Sequence, residues 1–381
     1  MSPGDRPTVY FHIGVPKSGT TYVQQCLRAN RQALRAAGVL YPGKGDSQFR
    51  ACQDLLDWRI GGQDKGSTAG AWSHLVRQIE RWPGTSVIDH ELFCGASQPI
   101  VDRALADLAF ADVHIVLTAR DFARQLPAVW QTRLRTGAGG SYALFLAAVR
   151  SGPPGRGTAR PFWNNQGVPT ILERWAAGLP PEQVHVVTVP PSGSEPDLLW
   201  LRFLGVLGLD PAAFPGAPRG ANTSLGATES ALLRRINETV AKQNLPWPVY
   251  VRAIKHRLAP ALAGRGGPAI ELPEDVYAWA VEWSETVVAD IRRAGYDVAG
   301  DLADLVPRSR PTGADPDAVD AAEQLDAAIA GLLSLAPAAA RGYPRNAPRT
   351  PARPSTVAGR LVGLARRLRR TDQSSRSPVS D

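Results

Sequence analysis

Four apolar runs lie in the first half of the chain, and each has the composition of a buried β-strand. They are rich in Val and Ile, and the stretches between them have apolar positions that recur with helical spacing. Parallel strands have this composition because helices cover both faces of their sheet. The pattern therefore predicts an α/β protein of three layers, with a central parallel β-sheet flanked by helices. The predicted strands span residues 8–14, 85–91, 113–120 and 184–190.

The segment that follows the first run, residues 20–38, predicts a helix. Its apolar positions fall on one helical face, and Gly38 is a suitable residue to end it. The first strand, the loop after it and this helix would therefore form one unit at the start of the sheet. The residues on the predicted face are Val23, Cys26, Leu27, Asn30 and Leu34.

The loop inside this unit reads GVPKSGTT, residues 14–21. Gly14 and Gly19 have the spacing of a Walker A phosphate loop, but Thr20 stands where that loop has its lysine. The only lysine of the loop, Lys17, precedes the second glycine. A glycine bend before a helix points backbone N–H groups and the helix dipole at one spot, so we expect an anion site here. Three hydroxyl side chains add donors: Ser18, Thr20 and Thr21.

The net charge of +8 at first suggests a nucleic-acid partner. From Arg341 to the end, however, the chain has ten Arg and two Asp, so residues 1–340 carry no net charge. A nucleic-acid site would need a basic face on the folded domain, and we therefore expect no nucleic-acid partner. No run of about 18 apolar residues occurs, and the N-terminus lacks a basic region followed by an apolar one, which predicts a soluble, cytoplasmic protein.

Cysteine and histidine usage gives no sign of a disulfide framework or a metal site. Cys26, Cys52 and Cys94 are odd in number and far apart, and the six histidines are scattered along the chain. We therefore expect neither a disulfide framework nor a bound metal.

Composition divides the chain into three predicted regions. In the last region, Val357, Leu361, Leu364 and Leu368 form a stripe opposite four arginines, which predicts a basic amphipathic helix over 357–370. We expect it either to bind an anionic membrane surface, a partner or its own domain weakly, or to remain a solvated charged end. The regions are an α/β domain (1–300), a Pro-rich break with an Ala/Leu helix at 316–335 (301–340), and a basic, flexible tail (341–381).

The hexapeptide PKSGTT, residues 16–21, resembles the donor loop of sulfotransferases that use 3′-phosphoadenosine 5′-phosphosulfate (PAPS). The resemblance implies a fold related to P-loop nucleotide kinases. It also implies transfer of a sulfuryl group to a hydroxyl, less readily an amine, of a small-molecule or carbohydrate acceptor. Lys17 would act on the oxygen that bridges phosphate and sulfate, because charge develops there as the S–O bond breaks. The loop residues implied in donor binding are Pro16, Lys17, Ser18, Gly19, Thr20 and Thr21.

In that family an Arg at the end of a later strand binds the donor's 3′-phosphate, usually with a Ser eight residues further on. Arg120 has the position of this arginine, and its planar fork suits a phosphate, but Ala128 stands where the serine is expected. Arg124, one helical turn after Arg120, is a candidate to compensate. Arg219 is a further candidate contact, in a segment similar to one of bacterial members that approaches the nucleotide.

The general base of the family is a His or a Glu that follows a central strand. Asp89, His90 and Glu91 have this position here. Neighbours on an extended segment alternate, so we expect Asp89 and Glu91 on one side and His90 on the other. Glu91 is the first candidate for the base and His90 the second.

Three points stay open at this level. The aromatics of the Gly/Pro-rich segment 136–167, Phe162 and Trp163, either cover the acceptor site or join the core. The chain could instead be a P-loop small-molecule kinase, with Asp89 as its metal-binding acid. It could also be a non-catalytic relative that only holds a nucleotide, which Ala128 would favour.

Overall fold

One parallel sheet organises the chain. The computed structural model describes residues 6–58, 68–152, 159–218 and 224–340. Within them, six strands form an all-parallel sheet, and the predicted α/β fold class is confirmed. The strands are β1 Thr8–His12, β2 Val39–Leu40, β3 Thr85–Asp89, β4 Asp112–Ala119, β5 Val184–Thr188 and β6 Asp297–Ala299, in the order β2-β3-β1-β4-β5-β6.

Helices connect the strands and also continue beyond the sheet. A π-helix, Val251–Leu258, and a 3₁₀ helix, Glu91–Gly95, interrupt the regular pattern. The described α-helices are α1 Thr20–Ala29, α2 Arg31–Ala36, α3 Ser47–Leu55, α4 Ala71–Glu80, α5 Gln98–Asp107, α6 Phe122–Arg135, α7 Tyr142–Arg150, α8 Arg160–Gln166, α9 Val168–Trp175, α10 Leu198–Val206, α11 Ala227–Lys242, α12 Trp247–Tyr250, α13 Ala259–Ala263, α14 Glu274–Ala294 and α15 Ala321–Ala340.

The sheet is covered on both faces, which makes three layers. Phe11 and Leu117 belong to the apolar cluster on one face, which packs against α3, α4, α5, α9 and α14. Val116 and Val187 belong to the cluster on the other face, which packs against α1, α2 and α10. Because the strands are buried on both sides, their sequences are continuously apolar rather than alternating.

A third apolar cluster lies beside the sheet and is built mainly from helices, chiefly α6, α7, α8, α11, α13 and α14. Phe162 and Trp163 lie inside it, with 3% and 1% of their surface exposed. Of the two interpretations of these aromatics, membership of the core is therefore right. They cannot cover an acceptor site, because their rings are already packed against Phe122 and its neighbours.

The predicted helix over 20–38 is wrong in one respect, because the structure forms two helices there. Asn30 separates α1 from α2, and its amide nitrogen donates to the carbonyl oxygens of Cys26 and Pro215. Such side-chain bonds to backbone compete with helix continuation. The predicted apolar face is nevertheless buried, and Gly38 has φ +83° after the end of α2.

The residues after 300 continue the described fold. Arg310 donates to the Glu271 carboxylate at 2.5 Å, and the backbone N–H of Ala314 donates to Ala269 O at 2.8 Å. The last helix starts at Ala321, later than the sequence predicts, because Asp320 accepts from the N–H of Glu323 there. Among the described helices, none combines the length and apolar character that crossing a bilayer requires. The predicted tail helix 357–370 lies outside the described residues.

Candidate functional site

The connection from β1 to α1 is a tight loop with three residues at positive φ. Gly14, Lys17 and Gly19 have φ of 73°, 72° and 80°. A Cβ atom at Gly14 would lie 2.6 Å from Cβ of Glu91, and one at Gly19 would lie 2.3 Å from Cδ2 of Leu199. Both positions favour glycine by φ, and Gly14 also by space, because its neighbour there is the Cβ and backbone of Glu91 rather than the end of a flexible side chain. Lys17 has no such freedom, so its backbone conformation is strained.

This loop ends at a helix N-terminus whose first N–H groups are free. Tyr22 and Val23 donate their N–H to the carbonyl oxygen of Gly19. Within the described residues, the N–H groups of Gly19, Thr20 and Thr21 have no protein acceptor. Free N–H groups at the positive end of a helix dipole favour an anion, as the sequence predicts.

Ser18 has a different role from the predicted one. Its side chain is fully buried, its hydroxyl donates to the carbonyl oxygen of Val15, and it accepts from the Val15 N–H at 3.2 Å. The same oxygen lies 2.6 Å from Oγ1 of Thr118. The expectation that this hydroxyl faces an anion is therefore wrong, because the loop uses it internally. Ser18 stabilises the turn and connects it to β4.

A cavity of about 390 Å³ opens in front of the loop, and we call it the loop cavity. It brings Lys17, Glu91 and Arg120 together from three different strand ends. The carboxyl ends of parallel strands are the usual place for a ligand in such a fold. The described lining residues are Pro16, Lys17, Gly19, Thr20, Thr21, Tyr22, Glu91, Leu92, Arg120, Ala128, Gln131, Thr132, Arg135 and Ser224.

Lys17 and Arg120 are mostly buried cations that form no ion pair with a carboxylate in the described part of the chain. Burial, and then the charge of Arg135, lower the pKa of Lys17. Burial, and then the charge of Arg124, lower the pKa of Arg120 to about 10. Nη1 of Arg120 donates to the Lys17 carbonyl at 3.4 Å, and its buried Nε has no hydrogen-bond partner among the residues that the structure describes. Desolvated cations of this kind are stabilised by a bound anion.

Arg124 does not lie in the loop cavity. Its side chain is paired with Asp121 and donates to the Pro190 carbonyl at 3.2 Å. It lines a second cavity of about 430 Å³, which shares Gly19 and Tyr22 with the loop cavity. The expectation that Arg124 compensates for Ala128 is therefore not met, since its neighbour Asp121 holds it on the other side of the loop.

Glu91 lies in the loop cavity, and one of its two oxygens is held from α1. Nε2 of Gln24 donates to Oε2 of Glu91 at 2.8 Å, and Arg28 in turn donates to Oε1 of Gln24 at 3.3 Å. Within the described residues, Oε1 of Glu91 has no hydrogen bond. This arrangement fixes the carboxylate and leaves one oxygen to accept a proton.

Asp89 and Glu91 do not share a side, contrary to the prediction. The strand ends at Asp89, and Glu91 starts the 3₁₀ helix, so strand alternation no longer applies. Asp89 is fully buried and lies 2.8 Å from Nδ1 of His12, while the Tyr41 hydroxyl donates to its other oxygen at 3.3 Å. These contacts remove Asp89 from the loop cavity, where the kinase alternative needs an acid for its metal.

His90, the second candidate for the base, also lies away from the loop cavity. Its ring stacks on Phe49 with centroids 5.1 Å apart, and its Nδ1 accepts from the Leu92 N–H at 3.2 Å. Burial lowers its pKa. Contacts of this type give His90 the role of capping the 3₁₀ helix.

Several residues of the site were not found from the sequence. Gln24 could have been found only through the close packing of α1 against the strand that precedes Glu91. Gln131, Thr132 and Arg135 share one face of α6 with Ala128, so helical spacing from Ala128 would have found them. Arg219 lies outside the described residues. Within those residues, no three His, Cys, Asp or Glu side chains converge as a metal site, and the three cysteines are buried thiols.

No protein-family model matches this sequence, and no curated protein matches it. Two solved structures are similar in part. A sulfotransferase from Alicyclobacillus acidocaldarius is 16% identical, with a TM-score of 0.37, and the similarity covers 63% of this chain and 95% of that chain. The sulfotransferase domain from the curacin biosynthetic pathway is 12% identical, with a TM-score of 0.34, over 56% of this chain and 78% of that domain.

Proposed function

We propose that this protein is a sulfotransferase that moves a sulfuryl group from PAPS to a hydroxyl of a small-molecule or carbohydrate acceptor. One observation carries the proposal. Three features line the same cavity: helix N-terminal N–H groups without a described acceptor, two desolvated cations without a carboxylate partner among the described residues, and one fixed carboxylate. The N–H groups and the two cations would bind a polyanionic donor, and the carboxylate would take the proton of an acceptor hydroxyl.

The loop fits the phosphate and sulfate groups of the donor. The free N–H groups of Gly19, Thr20 and Thr21 would hold the 5′-phosphate, and the exposed Thr21 adds a hydroxyl. Arg120 would hold the 3′-phosphate, because its unpaired Nε and its desolvated guanidinium gain a partner there. The second cavity adjoins the loop cavity at Gly19 and Tyr22 and offers about 430 Å³ for the nucleoside part.

The catalytic chemistry follows from Lys17 and Glu91. When bound, the donor supplies a sulfuryl group attached to a phosphate oxygen that leaves with negative charge. The Lys17 ammonium stabilises that charge more in the transition state than in the ground state, because it lies preorganised in a mostly desolvated loop. Oε1 of Glu91 takes the proton of the acceptor hydroxyl, while Gln24 keeps the carboxylate in place.

A kinase fits the same residues less well. Thr20 occupies the position of the Walker A lysine, and the Asp89 carboxylate is bonded to His12 and Tyr41. A P-loop kinase requires a lysine over the outer phosphates and an acid that binds the metal. Thr20 and Asp89 supply neither.

A thermal shift measurement tests the proposal before any acceptor is known. Adenosine 3′,5′-bisphosphate, the product left from PAPS, should raise the melting temperature, whereas ATP with magnesium should raise it little. Transfer of labelled sulfate from PAPS to a panel of hydroxyl compounds then tests turnover. A larger shift with ATP and magnesium, together with no sulfate transfer, would contradict the proposal.

A further inference from the structure

The first half of the loop is a four-residue turn from Val15 to Ser18. The N–H of Ser18 donates to the carbonyl oxygen of Val15 at 3.2 Å, which closes the turn. Pro16 has the fixed negative φ of proline at the second position, and Lys17 has φ +72° at the third. This combination is that of a type II turn, whose third position usually requires glycine. Contacts outside the turn must therefore hold Lys17 in this conformation.

Two buried glutamines bind the carbonyl oxygen of Pro16. Nε2 of Gln125 donates to this oxygen at 2.7 Å, and Nε2 of Gln166 donates to it at 3.3 Å. Nε2 of Gln125 also donates to Oε1 of Gln166 at 2.6 Å, so the two amides are joined. Gln125 and Gln166 are only 2% and 5% exposed, and we call them the glutamine pair.

The glutamine pair fixes the direction of the peptide between Pro16 and Lys17. Turns of types I and II differ by a rotation of this central peptide by about 180°. In a trans peptide the C=O and the N–H point in opposite directions. The glutamine pair lines another cavity together with Val15, and it does not line the loop cavity. Because the Pro16 carbonyl points to the glutamine pair, the N–H of Lys17 points away from it.

The neighbouring carbonyl oxygens are also bonded within the protein. That of Val15 accepts from the Ser18 hydroxyl and N–H, and that of Lys17 accepts from Arg120 at 3.4 Å. In the described part of the chain, the N–H of Lys17 has no protein acceptor, as is also true of the three N–H groups at the start of α1. The loop therefore bonds its carbonyl oxygens internally and leaves its N–H groups to an anion, as in other anion-binding turns.

Resting on the proposed function, we propose that Gln125 and Gln166 are positioning residues, which hold the peptide so that the Lys17 N–H joins the site of the donor's 5′-phosphate. In a type I turn the carbonyl oxygen of Pro16 would take the place of that N–H. The flip would remove a hydrogen-bond donor and direct a negative partial charge at the phosphate. It would also relieve the positive φ of Lys17, so the ligand-free turn would flip without the glutamine pair.

One atom of the glutamine pair separates this role from a general role in stability. Oε1 of Gln125 is buried and has no hydrogen-bond partner among the described residues. Methionine is similar in length, so Gln125→Met removes this unpaired oxygen together with the donating nitrogen. Because an unpaired buried oxygen lowers stability, the melting temperature of the ligand-free variant should stay close to that of the wild type.

Calorimetric titration with adenosine 5′-monophosphate and adenosine 3′-monophosphate tests the inference. Gln125→Met should weaken the 5′-monophosphate by about 10- to 150-fold, the range of a charge-assisted hydrogen bond, and leave the 3′-monophosphate nearly unchanged. Gln166→Met should show the same selectivity with a smaller loss, because its bond to the carbonyl is longer. A crystal structure of ligand-free Gln125→Met should show Lys17 at negative φ.

Gln48→Met is the matched control. Gln48 is another buried glutamine whose Nε2 donates to a proline carbonyl, that of Pro42 at 3.0 Å, and it lines neither the loop cavity nor the second cavity. This variant should keep the affinity for both nucleotides.

Three results would overturn the inference: wild-type affinity of Gln125→Met for the 5′-monophosphate, equal losses for the two nucleotides, or a positive φ of Lys17 in the ligand-free variant. If the wild type binds neither nucleotide, the proposed function fails. The ligand-free crystal structure would still show whether the glutamine pair holds the peptide.

Discussion

The hydroxyl oxygens of Ser18 and Thr118 lie 2.6 Å apart, and this contact joins the loop to the sheet. Thr118 Oγ1 also lies 3.2 Å from Nε2 of His12, whose Nδ1 lies 2.8 Å from the Asp89 carboxylate. All four side chains are fully buried. A continuous buried network therefore runs from the loop across β4 and β1 to β3, and fixes the loop that carries Lys17.

This network predicts coupled losses of stability. Ser18→Ala should lower the free energy of unfolding by about 1–3 kcal/mol, because Val15 and Thr118 lose a buried partner. Thr118→Val should also lower the free energy of unfolding, because it removes the hydroxyl that contacts Nε2 of His12. Because the two hydroxyls bond each other, the double variant should lose less than the sum, by about 0.5 kcal/mol or more in urea unfolding. Strictly additive losses would show that the contact contributes nothing.

Lys17 should make the ligand-free protein less stable than a neutral residue would. Burial lowers the pKa of Lys17 in the folded state. At pH values between this lowered pKa and the pKa of Lys17 in the unfolded chain, the unfolded chain therefore binds more protons than the folded one. The contribution of Lys17 to the free energy of unfolding therefore rises with pH through that window. At pH values below the window Lys17 is charged in both states, and its burial lowers the free energy of unfolding.

Lys17→Met should accordingly be more stable than the wild type at neutral pH without ligand, and the difference should shrink as the pH rises toward the ordinary pKa of lysine. With saturating adenosine 3′,5′-bisphosphate the order should reverse, because the wild type gains a charge contact that the variant lacks. Thermal unfolding between pH 7 and 10, with and without the bisphosphate, measures both effects. A variant that is less stable than the wild type in both conditions would refute this account of Lys17.

Glu91→Gln should lower turnover by about 10²- to 10⁴-fold, the usual range for loss of a general base. Affinity for the bisphosphate should stay nearly unchanged, because Glu91 would face the acceptor. The loss should be smaller with a phenol than with an alcohol, since a phenol ionises more readily. Initial rates with both acceptors and a binding isotherm for the bisphosphate check these points.

His90→Ala is the control for this experiment. Its ring lies against Phe49 and outside the loop cavity, so the substitution should change turnover far less than Glu91→Gln. If His90→Ala abolished turnover on an alcohol while Glu91→Gln kept it, the base would be His90.

Gly14 sets the distance between the loop and Glu91. Gly14→Ala would put a Cβ atom 2.6 Å from Cβ of Glu91, so the 3₁₀ helix must shift and turnover should fall at least tenfold. Gly38→Ala is a matched control, because Gly38 has a similar φ of 83° with no atom within 4 Å of its added Cβ. Both variants should lose about 1–2 kcal/mol of stability from the left-handed conformation, and the loss of turnover should be confined to Gly14→Ala. Equal turnover in the two variants would contradict this role.

The sequence predicted the centre of the sheet but not its edges. The four apolar runs correspond to β1, β3, β4 and β5, because strands buried on both faces must be continuously apolar. Val39–Leu40 and Asp297–Ala299 are edge strands of two and three residues, too short to leave a periodic signal.

The part of the candidate site that could be predicted consists of residues at the ends of predicted strands. Lys17 follows a predicted strand, Glu91 and Arg120 are each the last residue of one, and the three do meet in one cavity. The positions of Ser18 and Asp89 could not be predicted, since their buried partners Thr118 and His12 come from other strands. In the sequence these polar side chains are candidates for the site, whereas in the structure they stabilise the fold.

Calorimetric titration of the wild type and Arg120→Ala with adenosine 3′,5′-bisphosphate and with adenosine 5′-monophosphate tests the central claim most directly. Arg120 would bind only the 3′-phosphate, so the substitution should weaken the bisphosphate by about 1.5–3 kcal/mol, or about 10- to 150-fold in Kd, and should leave the monophosphate nearly unchanged. Equal losses for the two nucleotides, or no binding of the bisphosphate by the wild type, would contradict the claim that this cavity holds a 3′-phosphorylated donor.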